Sequence, residues 1–297
     1  MARGKLFKIP VFYTPKMVAD SGCESPSAKK PKEVVASWQN KFPITILEPR
    51  PVTLSDYARV HAVDWAEDIL RCKKPNGFGN KSPEVAAALP YTSGAMLQAA
   101  RLAISTGAAA AAPCSGFHHA GYASAEGFCT FNGLMVAAFA LKADGIPRVG
   151  ILDLDMHYGN GTVNIKNRFG ADWITHFTAG LNWTRPDQAE AFLDEGLPEV
   201  LAHMILDKVD VVLYQAGADP HIDDPYGGWL TTEQLRRRDA IVFDALSAAE
   251  IPAAEIPVAW NLAGGYQREK DGSIPKVLEV HDNTMRECAR VYCEKEP

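Results

Sequence analysis

The chain has 297 residues, 47% of them hydrophobic and 22% charged, enough to bury a sizeable core in a single α/β unit. Its formal net charge of -6 argues against phosphate-backbone binding as a main task, and no run of about 18 apolar residues is present to span a bilayer. Six cysteines (Cys23, Cys72, Cys114, Cys129, Cys288, Cys293) form no CxxC pair, and the opening MARGKLFKIPVFY lacks a signal-like apolar stretch. Reduced thiols, a cytoplasmic location and no direct nucleic-acid or membrane partner are the resulting expectations.

In chain order, a strand is predicted over 7–13 (FKIPVFY), a helix over 31–41, a strand over 44–49 and helices over 53–70 and 84–105. The Ala-rich run 108–116 reads as a strand despite the helical preference of alanine, because of the glycine-flanked histidines that follow it. A helix over 131–143, strands over 148–155 and 173–179, and a helix over 187–206 come next. The pattern closes with a strand over 209–217, a helix over 231–249, a strand over 257–265 and a helix over 281–293. Several strand candidates are apolar without alternation, which suits strands covered on both faces. Alternating elements of this kind build a mostly parallel sheet with helices on both sides. The polar stretch GCESPSAKKPKE (22–33) reads as a loop whose Lys29, Lys30 and Lys32 form a solvated face. No internal repeat or low-complexity linker divides the chain, so one domain over 1–297 is expected.

Chemistry gathers just past four strand candidates: SGFHHAG (115–121), DLDMHYGNG (153–161), AGADPHIDD (216–224) and LAGGYQRE (262–269). The carboxyl ends of parallel strands are where open α/β sheets bind ligands. Asp153, Asp155 and His157 share one face of an extended segment. If the chain bends there, Asp155 and His157 can meet on one ion, with Asp219 as third ligand after VDVVLYQAG. An O,N,O set suits zinc and is also compatible with ferrous iron, cobalt or manganese. The alternative is that the two aspartates cap backbone amides and His157 packs against the next helix. His118 and His119, adjacent in sequence, need a turn after Gly116 to reach one pocket, where an imidazole can move protons near neutral pH. Gly264-Gly265 permits a tight turn that presents Tyr266 at a pocket rim, where a phenol can hydrogen-bond a developing oxyanion.

SGFHHAGYASAEGFCTFN (115–132), VGILDLDMHYGNGT (149–162), QAGADPHIDDPYGGWLT (215–231) and LAGGY (262–266) together resemble the zinc-dependent histone deacetylase family. That family includes bacterial deacetylase-like proteins and acetylpolyamine amidohydrolases. The resemblance implies the arginase–deacetylase α/β fold, a single domain on a parallel sheet of about eight strands. It implies one Zn²⁺ per chain on Asp155, His157 and Asp219. His119 would be general base and then general acid, His118 its electrostatic partner, Asp153 the acceptor behind His118 and Asn160 the group behind His119. Tyr266 would support the oxyanion, and Gly127 and Phe128 would line a narrow tunnel, with Trp183 a candidate second aromatic wall. A structural K⁺ would sit at Asp153 with main-chain groups near Asp155, His157, Thr175 and His176. The implied activity is amide hydrolysis that frees the ε-amine of an acylated, expectedly acetylated, lysine in a protein or peptide.

Three alternatives accompany that reading. An acetylated polyamine or other small N-acetyl amine would use the same site. A binuclear ureohydrolase would need a carboxylate where Gly159 stands. A non-catalytic acyl-lysine binding module would lack a ligand, a histidine or the tyrosine, and all of these are present.

Overall fold

The computed structural model describes residues 6–247 and 255–294. The seven predicted strands form as β1 (Ile9–Phe12), β2 (Ile44–Leu47), β3 (Ala109–Ala112), β4 (Val149–Asp153), β5 (Ile174–Thr178), β6 (Val211–Gly217) and β7 (Val258–Ala263). They pair in one all-parallel sheet of order β2-β1-β3-β7-β6-β4-β5, seven strands among the described residues and close to the expected number of about eight. The helices are α1 (Lys30–Lys41), α2 (Leu54–Tyr57), α3 (Val63–Leu70), α4 (Pro83–Thr106), α5 (Gly133–Ala143), α6 (Asn160–Arg168), α7 (Ala189–Ala191), α8 (Leu197–Leu206), α9 (Thr232–Ser247) and α10 (Pro275–Tyr292). Two apolar layers cover the sheet. One contains Trp38, Tyr214, Phe243 and Trp260, the other Tyr57, Phe131, Leu134 and Ile151. With both faces covered, β3, β4, β6 and β7 are buried at every position, which explains their largely apolar, non-alternating runs.

The Ala-rich run is a strand because Gly107, at φ +67°, stops α4 and turns the chain back into the sheet. Four alanines cannot nucleate a helix of their own, whereas pairing with Val258–Asn261 satisfies their backbone.

Three helix predictions differ from the fold, and one helix was not predicted. The 53–70 stretch splits into α2 and α3 because its middle is claimed by tertiary bonds. His61 donates through Nδ1 to the Gly121 carbonyl and accepts at Nε2 from the Asn132 amide, while the Ala62 amide bonds Tyr122 O. The 187–206 stretch contains a π turn (Phe192–Gly196) before α8, where Pro198 has no N–H to offer the preceding turn. Helix α10 begins six residues earlier than predicted, with Pro275 at its first position. Helix α6 was not anticipated, since NGTVNIKNR is rich in poor helix formers. Tertiary contact holds it: the Thr162 amide donates to His118 O, and Gly161 lies so close that a Cβ would meet the His119 carbonyl carbon at 2.4 Å. The α9 prediction extends to 248 and 249, which lie outside the described residues.

Candidate metal centre and its surroundings

The four motif-bearing strands are consecutive neighbours, β3-β7-β6-β4, and all are parallel. Their carboxyl ends therefore open on one edge, and the four loops meet there. His157 Nδ1 lies 3.2 Å from Asp155 Oδ1 and 3.0 Å from Asp219 Oδ2, and one atom of each residue falls within 4.8 Å of the others. Asp155 is 3% exposed and Asp219 0%. His157 Nε2 is 3.1 Å from the Tyr226 carbonyl. With an ion bound between the carboxylates, donation of the Nε2 proton to that oxygen would leave the Nδ1 lone pair for the ion, the usual arrangement of a metal-ligating histidine.

The electrostatics are those of a crowded anionic site. Burial pushes Asp219 up to about 7, and the neighbouring Asp155 adds to the shift. Burial also opposes ionisation of Asp155, but His118 and His157 outweigh it and hold that carboxyl low. Hydrogen bonds donated to the Asp155 and Asp219 carboxylates raise His157 to about 11. Two buried carboxylates and an imidazole so arranged fit a divalent cation, whose charge would offset their desolvation.

The tandem histidines reach this edge through a turn in which Gly116 (φ +90°) and Phe117 (φ +95°) both adopt left-handed backbone. Their rings lie 4.0 Å apart between centroids. His118 Nδ1 sits 2.8 Å from Asp153 Oδ2, and Asp153 Oδ1 accepts from Gln215 Nε2 at 3.0 Å. Burial works against protonation of His118, yet Asp153 and Asp155 prevail and raise it to about 9. His119 differs: its Nδ1 faces Asn160 Oδ1 at 2.6 Å, and burial followed by the nearby His118 lowers its pKa.

Tyr266 follows Gly264 (φ +50°) and Gly265 (φ +83°), and burial raises its phenol well above the usual range. Its ring centroid is 5.5 Å from Phe128 and 4.9 Å from Tyr226. Gly127 packs on the His119 ring, since a Cβ there would stand 2.4 Å from His119 Cδ2.

Three expectations are corrected here. Trp183 packs inward on Phe192 (centroids 5.2 Å), and the ring that lies beside Phe128 is that of Tyr226, at 6.3 Å. Thr175 pairs with Gly150 and donates to Asp207 Oδ2 at 2.7 Å; register puts Thr178, not Thr175, opposite Asp153. His176 is one residue nearer, and its Nε2 has no hydrogen-bond partner among the described residues. Lys30 is no solvated lysine: it is fully buried and donates to the Gly264 carbonyl. Burial lowers it to about 8, against the pull of Asp219, Asp155 and Asp224.

Residues that the sequence did not single out also brace the edge. Arg238, 1% exposed, donates from Nη1 to the carbonyls of Leu154 (3.1 Å) and Gly217 (2.7 Å), just ahead of Asp155 and Asp219. Asp224 accepts from the amides of Tyr266 (2.7 Å) and Tyr226 (3.0 Å) and so fixes the backbone that carries both rings. An arginine inside a helix of three consecutive arginines gives no sequence cue that one of them turns inward.

Fold and site thus define a parallel α/β protein with a candidate metal centre at the carboxyl edge of its sheet. Comparison with known proteins narrows the class. The histone deacetylase domain profile matches residues 27–170. An uncharacterized protein of Picosynechococcus is 34% identical over 218 residues, covering 67% of this chain and 68% of its own length. The polyamine deacetylase HDAC10 of Mus musculus is 28% identical over 186 residues, covering 51% of this chain and 26% of the mouse protein. The solved HD domain of HDA15 superposes with a TM-score of 0.74 over 97% of this chain and 91% of that one, at 17% identity, a likeness of fold. The chain belongs to the histone deacetylase-like family.

Proposed function

We propose that the protein is a zinc-dependent deacetylase that hydrolyses the amide of an acylated, chiefly acetylated, lysine ε-amine in a protein or peptide. The observation that carries this reading is the convergence of Asp155, His157 and Asp219 beside the tandem histidines and Tyr266. Asp155 and Asp219 would hold Zn²⁺ by carboxylate oxygens and His157 by Nδ1. Such an ion supplies Lewis acidity, polarising an amide carbonyl and lowering the pKa of water. His119, its pKa lowered by burial, is neutral at pH 7 and takes a proton from the attacking water. It later returns that proton to the departing amine. His118, held protonated against Asp153 and Asp155, stabilises negative charge nearby. Tyr266 keeps its proton and donates to the developing oxyanion, a contact typically worth about 2.7–4 kcal/mol. Gly127 and Phe128 would line the approach of the aliphatic amine, with the Tyr226 ring 6.3 Å from that of Phe128. The reading places a structural K⁺ by Asp153 and the end of β5.

An acetylated polyamine is the second reading, favoured by the mouse relative and by the Glu24 carboxylate, which lies 3.4 Å from the Tyr226 hydroxyl at the rim. Turnover of acetyl-lysine peptides against acetylputrescine, each with and without a zinc chelator, tests both. Absence of chelator-sensitive hydrolysis on either substrate would refute the deacetylase reading.

A further inference from the structure

Glu126 belongs to none of the roles described so far, yet it is bonded to one of them. Its Oε1 accepts from Asn160 Nδ2 at 2.7 Å, and Asn160 Oδ1 in turn faces His119 Nδ1 at 2.6 Å. The three side chains form a line from solvent to the imidazole.

The chemistry of the line runs one way. An ionised carboxylate has no proton to give, so it can face only the amide nitrogen of Asn160. That contact turns the amide oxygen toward His119. Being an acceptor as well, the oxygen requires a proton on His119 Nδ1. The lone pair is then left on Nε2. Without Glu126, the amide can flip and offer its NH₂ to the ring, which puts the lone pair on Nδ1, the nitrogen turned away from the reaction. We propose that Glu126 is a positioning residue that locks the Asn160 amide and thereby selects the Nδ1–H tautomer of His119. When His119 gains a second proton, the same carboxylate lies two hydrogen bonds behind the new charge and polarises the chain in its favour.

An exposed side chain makes a poor lock unless its base is rigid, and this base is rigid. Glu126 opens a two-residue turn in which its amide bonds Cys129 O (3.1 Å) and the Cys129 amide bonds Glu126 O (2.8 Å). Both central residues are left-handed, Gly127 at +55° and Phe128 at +62°. The Phe128 amide also bonds Gly77 O at 3.0 Å. Gly127 itself lies against the His119 ring, so the backbone that carries Glu126 is in register with the base it serves.

This inference rests on the assignment of His119 as the general base, and its test separates the two. In the zinc-loaded full chain, long-range ¹H–¹⁵N correlation spectra should show neutral His119 as one Nδ1–H tautomer. Glu126→Leu should give a mixture, with kcat reduced about 3- to 10-fold and zinc content unchanged. In an Asn160→Asp background the new carboxylate accepts from His119 directly and repels Glu126, so adding Glu126→Leu should leave kcat equal or raise it. If Glu126 merely braced the turn, its loss would cost the same in both backgrounds. Equal losses, or a wild-type tautomer pattern in Glu126→Leu, overturn the proposal. A wild-type chain inert toward every acyl amine overturns the assignment of the base instead, and the tautomer spectrum still decides what Glu126 does.

Discussion

Replacing Gly264 by alanine sets a methyl group against the deepest ligand of the proposed metal site. The added Cβ would lie 2.1 Å from Asp219 Cγ and 2.3 and 2.5 Å from its oxygens. Carbon atoms pack at about 3.5 Å or more, so the methyl is roughly 1.4 Å too close. Asp219 is fully buried and cannot swing into solvent. Either the carboxylate leaves its place beside His157 or the glycine turn shifts and carries Tyr266 with it. The left-handed φ adds about 1–2 kcal/mol for any residue with a Cβ, and overpacking typically adds about 1–3 kcal/mol. A loss of about 2–5 kcal/mol in folding stability is expected, with zinc affinity weakened about 10²-fold or more. Gly272→Ala is the matched control. Its φ of +85° imposes similar strain, but nothing lies within 4 Å of the new methyl, so it should cost about 1–2 kcal/mol and leave zinc binding intact. Urea denaturation and zinc titration against a chelator read the two effects apart. Equal zinc affinity in Gly264→Ala and Gly272→Ala would refute the reasoning.

Asp219→Ala should fold and fail to retain zinc after dialysis; full occupancy by elemental analysis would remove it from the ligand set. Tyr266→Phe should keep zinc and lose about 10²–10³-fold in kcat, as for other oxyanion donors, and an unchanged rate would count against that role. His61 supplies a pH signature independent of the metal. Burial, opposed only by bonds to Gly121 and Tyr122, lowers its pKa from 6.5 to about 4, so between those values the unfolded chain binds a proton that the folded chain refuses. Stability should therefore fall as pH drops through that window, by about 3 kcal/mol at pH 4. His61→Gln should flatten that part of the urea midpoint–pH curve, and an identical slope in both proteins would exclude His61 as its source.

The strands were legible because parallel strands covered on both faces leave a largely apolar record, as in VDVVLYQAG and VGILD. The cluster of Asp155, His157 and Asp219 was legible for a related reason. A carboxylate or imidazole at the end of such a run is conspicuous, and Asp155, His157 and Asp219 each stand a few residues past one. Helix α6 was missed because its stability comes from contact with the His118–Ala120 backbone, which no local propensity encodes. The break between α2 and α3 was missed likewise, since it depends on His61 reaching Gly121 and Asn132.

By itself the sequence determined which strands form, that they run parallel, and which side chains crowd their carboxyl ends, since apolar pattern and residue chemistry are local properties. Only the tertiary structure decided that β3, β7, β6 and β4 lie side by side, which turns four separate loops into one site. It also decided that Lys30 and Arg238 turn inward while Lys29 and Lys32 stay in water. A charged side chain can be buried only where carbonyls and carboxylates from distant segments meet it, and such meetings are made by the fold.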